Sequence, residues 1–90
     1  MNNSKEFINA SNVVTKLNTS LSNEEMLELY SYYKQATIGN NTTPKPSLLD
    51  FKANKKWLSW SNVANTSTYD AEVKYITLVN TFINKYGNKQ

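Results

Sequence analysis

Phe7, Ala10, Val14 and Leu17 fall three, four and three residues apart, the spacing that lines apolar side chains along one side of an α-helix. Ala71, Tyr75, Leu78, Val79, Phe82 and Tyr86 keep the same period near the other end of the chain. No segment alternates with the period of two that a half-buried strand requires. The chain is therefore constrained to fold by packing helices.

Four helical segments follow from the start and stop signals. The first runs from about Ser4 to Leu17. Ser22 precedes Glu25 by three residues, the spacing of a capping box, and opens a second helix from about Asn23 to Thr37 or Ile38. Gly39 is its expected left-handed terminator. Residues 40–50, NNTTPKPSLLD, contain two prolines and deny regular helix. Asp50 or Ser47 is placed to cap a third helix, from about Phe51 to Val63. A further cap within Thr66–Asp70 starts the fourth, which ends near Tyr86 at Gly87. The expected fold class is all-α, with residues 1–90 as a single domain.

Composition removes several function classes. There is no cysteine and no histidine, which excludes disulfides, thiol nucleophiles, zinc fingers and imidazole acid–base catalysis. No apolar run approaches the roughly 18 residues of a membrane span, and the start, MNNSKEFINASN, is too polar for a secretory signal. A cytoplasmic protein is expected. The net charge of +3 is weaker than a dedicated nucleic-acid binder carries. Asparagine occurs 14 times; with basicity supplied by lysine alone, this reads as a compositional bias with no function attached.

Chemistry concentrates in YSYYKQATIG, residues 30–39. On a helix, Tyr30, Tyr33 and Lys34 lie at spacings of three and four, which sets two phenol rings beside an ammonium. Aromatic planes stack on nucleobases and ammonium groups pair with phosphate, so the indicated ligand is a phosphorylated nucleotide or a molecule that carries one. Met26 lies one turn earlier on the same stripe. KANKKWLSW, residues 52–60, supplies Lys52 and Lys56 four apart, with Trp57 and Trp60 as anchors for the bundle.

These elements, taken in order, resemble the acyl-CoA-binding protein family. The matching residues are Tyr30, then Tyr33-Lys34-Gln35-Ala36-Thr37-Ile38-Gly39, Pro46, Leu49-Asp50-Phe51, and Lys56-Trp57 with Trp60 three later. Asp70-Ala71 and Tyr75-Ile76 also fall in place, and the first helix fits without a gap. The resemblance covers essentially the whole chain. It implies an up-down-down-up bundle of four helices.

The resemblance also implies roles. Tyr30, Lys34 and Lys56 would hold the 3′-phosphate of coenzyme A, and Tyr33 would stack on its adenine. Lys52 and Tyr75 would contact the coenzyme and the start of the acyl chain, while Met26 and Leu27 would line the path of the tail. Ser31 and Tyr32, between the two outer tyrosines, are counted with the ligand site. The pattern is broken at Thr15 and Ser20, where the family usually carries a basic residue, and at Ser47, where glycine is common. Lys16 adjoins Thr15, but one residue is a turn of about 100° on a helix.

The implied function is non-catalytic: an intracellular carrier of long-chain acyl-CoA, working as a monomer without metal or cofactor, and in transient contact with membranes or acyl-CoA-using enzymes. Acyl transfer would need an activated nucleophile or general base, and the usual groups are absent. Two rivals are a small nucleic-acid-binding helical module, which the modest charge disfavours, and a protein-interaction module whose tyrosines form the partner surface.

Overall fold

The computed structural model describes residues 3–17 and 20–87. Helix α1 spans Lys5–Val14 and tightens into a 3₁₀ turn at Thr15–Leu17; α2 spans Asn23–Thr37, α3 Phe51–Ser61 and α4 Thr68–Tyr86. Each helix begins at a side-chain cap that satisfies an otherwise unpaired backbone N–H. Ser4 accepts from the Phe7 N–H and Ser67 from the Asp70 N–H, at 3.1 and 3.0 Å. At α2 the box is reciprocal, with Glu25 N–H to Ser22 Oγ at 3.1 Å and Ser22 N–H to Glu25 Oε1 at 2.8 Å. Of the two candidates for α3, Asp50 makes the cap, accepting from the Ala53 N–H at 3.1 Å.

The helix ends differ from one another in kind. Gly39, just past α2, has φ +103°, a conformation that strains any L side chain. Gly87 caps α4 at φ −101°, where close packing, not backbone conformation, favours glycine. A Cβ there would sit 3.0 Å from Leu17 Cδ2 and 3.1 Å from the Ile83 carbonyl, so glycine lets the end of α4 approach the 3₁₀ turn. Helix α3 ends at Ser61, two residues before the expected Val63. The chain then turns back through Asn65 at φ 72°, a region asparagine tolerates better than most residues.

Side-chain ties give the helix directions. Glu25 at the start of α2 meets Lys85 and Tyr86 at the end of α4, and Gln35 near the end of α2 donates to the Thr66 carbonyl just before α4. Those two helices are antiparallel. Asn3 and Ser4, at the start of α1, reach Glu72 in the first turns of α4, so α1 and α4 run together. Lys56 lies over Tyr30 and Trp60 lies under Lys34, which aligns α3 with α2. The order is up, down, down, up.

Phe7, Ala10, Val14, Leu17, Leu21, Leu29, Ala36, Ala71, Tyr75, Val79 and Phe82 form the buried core, with Leu78 and Tyr86 packed at its margin. That core belongs to α1, α2 and α4. Helix α3 packs on α2 alone. Its tryptophans anchor the connecting loop instead of the main core: Trp60 Nε1–H donates to the Gly39 carbonyl at 2.8 Å, and Trp57 Nε1–H to the Thr43 carbonyl at 2.9 Å. No helix among the described residues is long and apolar enough to cross a membrane.

Candidate functional site

Among the helices α3 packs only on α2, and between the two lies a groove of about 630 Å³. Asn23, Met26, Leu27 and Tyr30 line it from α2, one helical face at three- and four-residue spacing. Phe51, Lys52, Lys55 and Lys56 line it from α3. The floor is apolar and the α3 wall is cationic. Across the crest of α2 lies a second, smaller hollow of about 220 Å³, bordered by Val14, Leu21, Leu29, Tyr33 and Tyr75. Met26 and Tyr30 border both hollows and form the divide between them.

The expected face of Tyr30, Tyr33 and Lys34 is shared between two sides. Tyr30 and Lys34, four apart, both turn toward α3. The Lys56 ammonium stands 5.4 Å from the Tyr30 ring centroid, and the Lys34 ammonium 4.9 Å from that of Trp60, both within cation–π range. Tyr33 turns toward α1 and α4. Its ring stacks on Phe7 at 5.6 Å with planes 20° apart and meets Tyr75 at 5.8 Å. Phe7 and Tyr75 close the triad at 4.9 Å. Packed from behind in this way, Tyr33 still keeps 40% of its surface exposed, so a planar ligand can lie on a ring that is already held in place.

Tyr75 is buried, and burial, with Tyr33 beside it, pushes its hydroxyl up from 10.0 to about 12. It remains a neutral donor at any ordinary pH. Among the described residues the one ion pair is Lys85–Glu25, at 3.1 Å. Lys34, Lys52, Lys55 and Lys56 thus have no carboxylate partner, and their field adds up along the groove.

Met26, Leu27, Tyr30, Lys52 and Lys56 come together in the groove, Tyr33 and Tyr75 in the adjoining hollow, and Lys34 beyond them on the same seam. Ser31 and Tyr32 sit elsewhere. Ser31 is buried with its hydroxyl donating to the Glu28 carbonyl at 2.7 Å, and Tyr32 packs on the margin of the core. Thr15 and Lys16 are both exposed in the 3₁₀ turn. Three groove residues were not assigned to the site from the sequence: Asn23, Phe51 and Lys55. The repeat of Phe51 and Lys55 at a spacing of four is the signal that was available for two of them. No group of three or more histidine, cysteine, aspartate or glutamate side chains among the described residues is placed to hold a metal.

The pattern of the family described as "Acyl CoA binding protein" matches residues 4–79. The chain belongs to that family. It is 43% identical over 81 residues to acyl-CoA-binding protein homolog 1 of Caenorhabditis elegans, an alignment covering 90% of this chain and 94% of the relative. It is 42% identical over 85 residues to the acyl-CoA-binding protein of Saccharomyces cerevisiae, covering 94% and 98%. The crystal structure of Oryza sativa acyl-CoA-binding protein 2 superposes with a TM-score of 0.87 at 36% identity, covering 90% of each chain. The matched span takes in α1, α2 and α3 whole and α4 as far as Val79, and so includes both hollows.

Proposed function

We propose that this protein binds long-chain acyl-CoA esters and carries them through the cytoplasm as a monomer, without catalysing their chemistry. The observation that carries the reading is the groove between α2 and α3, with an apolar floor and a wall of unpaired lysines. A long-chain acyl-CoA has the complementary division, a phosphorylated nucleotide at one end and a hydrocarbon at the other.

In this proposal Lys34, Lys56 and the Tyr30 hydroxyl hold the 3′-phosphate, and Tyr33 stacks on the adenine. Lys52 and Tyr75 meet the coenzyme where the acyl chain begins, and Met26 and Leu27 line the tail. Each well-placed bond from a charged group contributes about 1.5–3 kcal/mol, and base–aromatic stacking about 1–3 kcal/mol. Burying some 14 methylenes at about 0.8 kcal/mol each sets an upper bound near 11 kcal/mol. The tail supplies the larger share of affinity, and the head supplies discrimination among lipids. The absence of imidazole and thiol from the sequence supports a carrier over an acyl-transferring enzyme.

Isothermal titration with palmitoyl-CoA, with coenzyme A and palmitate as controls, tests the assignment. The ester should bind one to one with a negative heat-capacity change, coenzyme A much more weakly, and palmitate poorly. Lys34→Ala and Lys56→Ala should each weaken the ester by about 10- to 100-fold with the helical circular dichroism unchanged. Equal affinity for palmitate and palmitoyl-CoA, or normal binding by both lysine variants, refutes the proposed site.

A further inference from the structure

The turn just before α3 has an unusual composition. Asp50 N–H donates to the Ser47 carbonyl at 3.0 Å and closes a turn whose two central residues are Leu48 and Leu49. Central turn positions favour glycine, proline, asparagine and aspartate, whose conformational preferences and local hydrogen bonds make turns. Two leucines contribute nothing of that kind. They do not contribute to the core either, being 75% and 86% exposed, and Phe51 beside them is 73% exposed. The turn is nonetheless firmly held. Asn54 Nδ2–H donates to the carbonyls of Ser47 and Asp50 at 2.6 and 3.0 Å, and Leu49 N–H donates to Ser47 Oγ at 3.2 Å. Side-chain hydrogen bonds thus brace the turn beneath an apolar tip.

Charge is concentrated in the same place. Residues 44–56 carry Lys45, Lys52, Lys55 and Lys56 against Asp50, a net +3. The remaining 77 residues hold six lysines and six carboxylates, so the entire net charge of +3 resides in this segment. All four of these lysines are exposed. A fixed apolar tip set among unpaired cations is the surface that inserts into a negatively charged lipid interface, where apolar burial and attraction to anionic headgroups add. We infer that the Ser47–Asp50 turn and the first turns of α3 form a docking surface for an anionic lipid bilayer. The groove mouth then opens at the membrane, since Phe51, Lys52, Lys55 and Lys56 line both.

Sedimentation with phospholipid vesicles tests this without any acyl-CoA present, so it stands or falls separately from the ligand titration. The protein should bind vesicles in which roughly a third of the phosphatidylcholine is replaced by phosphatidylserine, and pure phosphatidylcholine much less. Raising salt from about 0.1 to about 1 M shortens the screening length from ~10 to ~3 Å and should release it. The Leu48→Ser/Leu49→Ser double variant should lose about tenfold or more in partitioning, and Lys45→Glu several-fold at low salt only. Both should keep wild-type circular dichroism and palmitoyl-CoA affinity, because these side chains lie outside the groove and the core. The inference is overturned if the wild type ignores anionic vesicles, or if the double variant partitions like the wild type. It is equally overturned if the double variant keeps its vesicle binding but loses palmitoyl-CoA, which would assign the leucines to the ligand's tail.

Discussion

Tyr75 occupies two environments at once. Its ring is part of the core beside Phe7, and its edge borders the hollow where Tyr33 is open to solvent. Burial raises its hydroxyl from 10.0 to about 12, and the sign of the stability effect follows. The folded state holds this proton more tightly than the unfolded chain, so its contribution is intact below pH 10 and is lost as pH rises through about 12. Spectrophotometric titration should show a late tyrosine phase near pH 12, and Tyr75→Phe should abolish it. The wild type should also lose roughly 2–3 kcal/mol more than Tyr75→Phe over that interval. A single phase with unchanged amplitude in the variant would count against it. The duties of the asparagines, by contrast, were not visible in the sequence. Asn40 accepts from Gln35 and from the Asn65 N–H, and Asn41 donates to the Trp57 carbonyl and the Ser61 hydroxyl. Apart from Gln35, five residues away, their partners lie 16 to 25 positions along the chain, and no local periodicity encodes such contacts.

Helix α2 is tied at its first turn to the last turn of α4 through one carboxylate. The Ser22 N–H, opposed by desolvation and aided by the Tyr86 hydroxyl and the Lys85 ammonium, lowers Glu25 from 4.5 to about 2. Its contribution to stability is therefore complete above pH 4.5 and fades as pH falls toward 2. Glu72, where α1 joins α4, adds in the same direction: burial raises its carboxyl, but hydrogen bonds from Asn3 and Ser4 leave it below the ordinary value. Urea unfolding of the wild type and Glu25→Gln should differ most near neutrality and converge as pH approaches 2; a gap independent of pH would contradict the assignment. The capping half of this arrangement was legible, since Ser22 and Glu25 stand at a diagnostic spacing. The bonds from Lys85 and Tyr86 were not, because they join residues 60 and 61 positions apart. The same distinction runs through the site. Tyr30, Lys52 and Lys56 were readable from local spacing and resemblance. The placement of Tyr33 on Phe7, away from the Lys34 side of α2, depends on which helices flank α2, a tertiary fact.

For the molecule as a whole, the decisive asymmetry is that three helices share a core and the fourth leans on one of them. Trp60 is the buried residue of α3, whereas α4 buries Ala71, Tyr75, Val79 and Phe82. Few buried apolar contacts mean a low free energy of local opening, so amides of α3 should exchange with solvent faster than those of α1 and α4 in the free protein. The ligand proposed here fills the space between α2 and α3, and its tail would supply the apolar contacts that α3 otherwise lacks. Binding should then protect α3 more than any other element. By mass action, palmitoyl-CoA at a hundredfold excess over its dissociation constant adds about 2.7 kcal/mol, which for a domain of this size raises the Tm by roughly 10–20 °C. Hydrogen exchange with and without palmitoyl-CoA separates two ways of reaching that stability. Protection centred on α3 and the start of α2 means that the tail clamps the groove. Protection spread evenly over all four helices would show that the ligand stabilises the bundle without bridging that seam, and would refute the groove as the path of the tail.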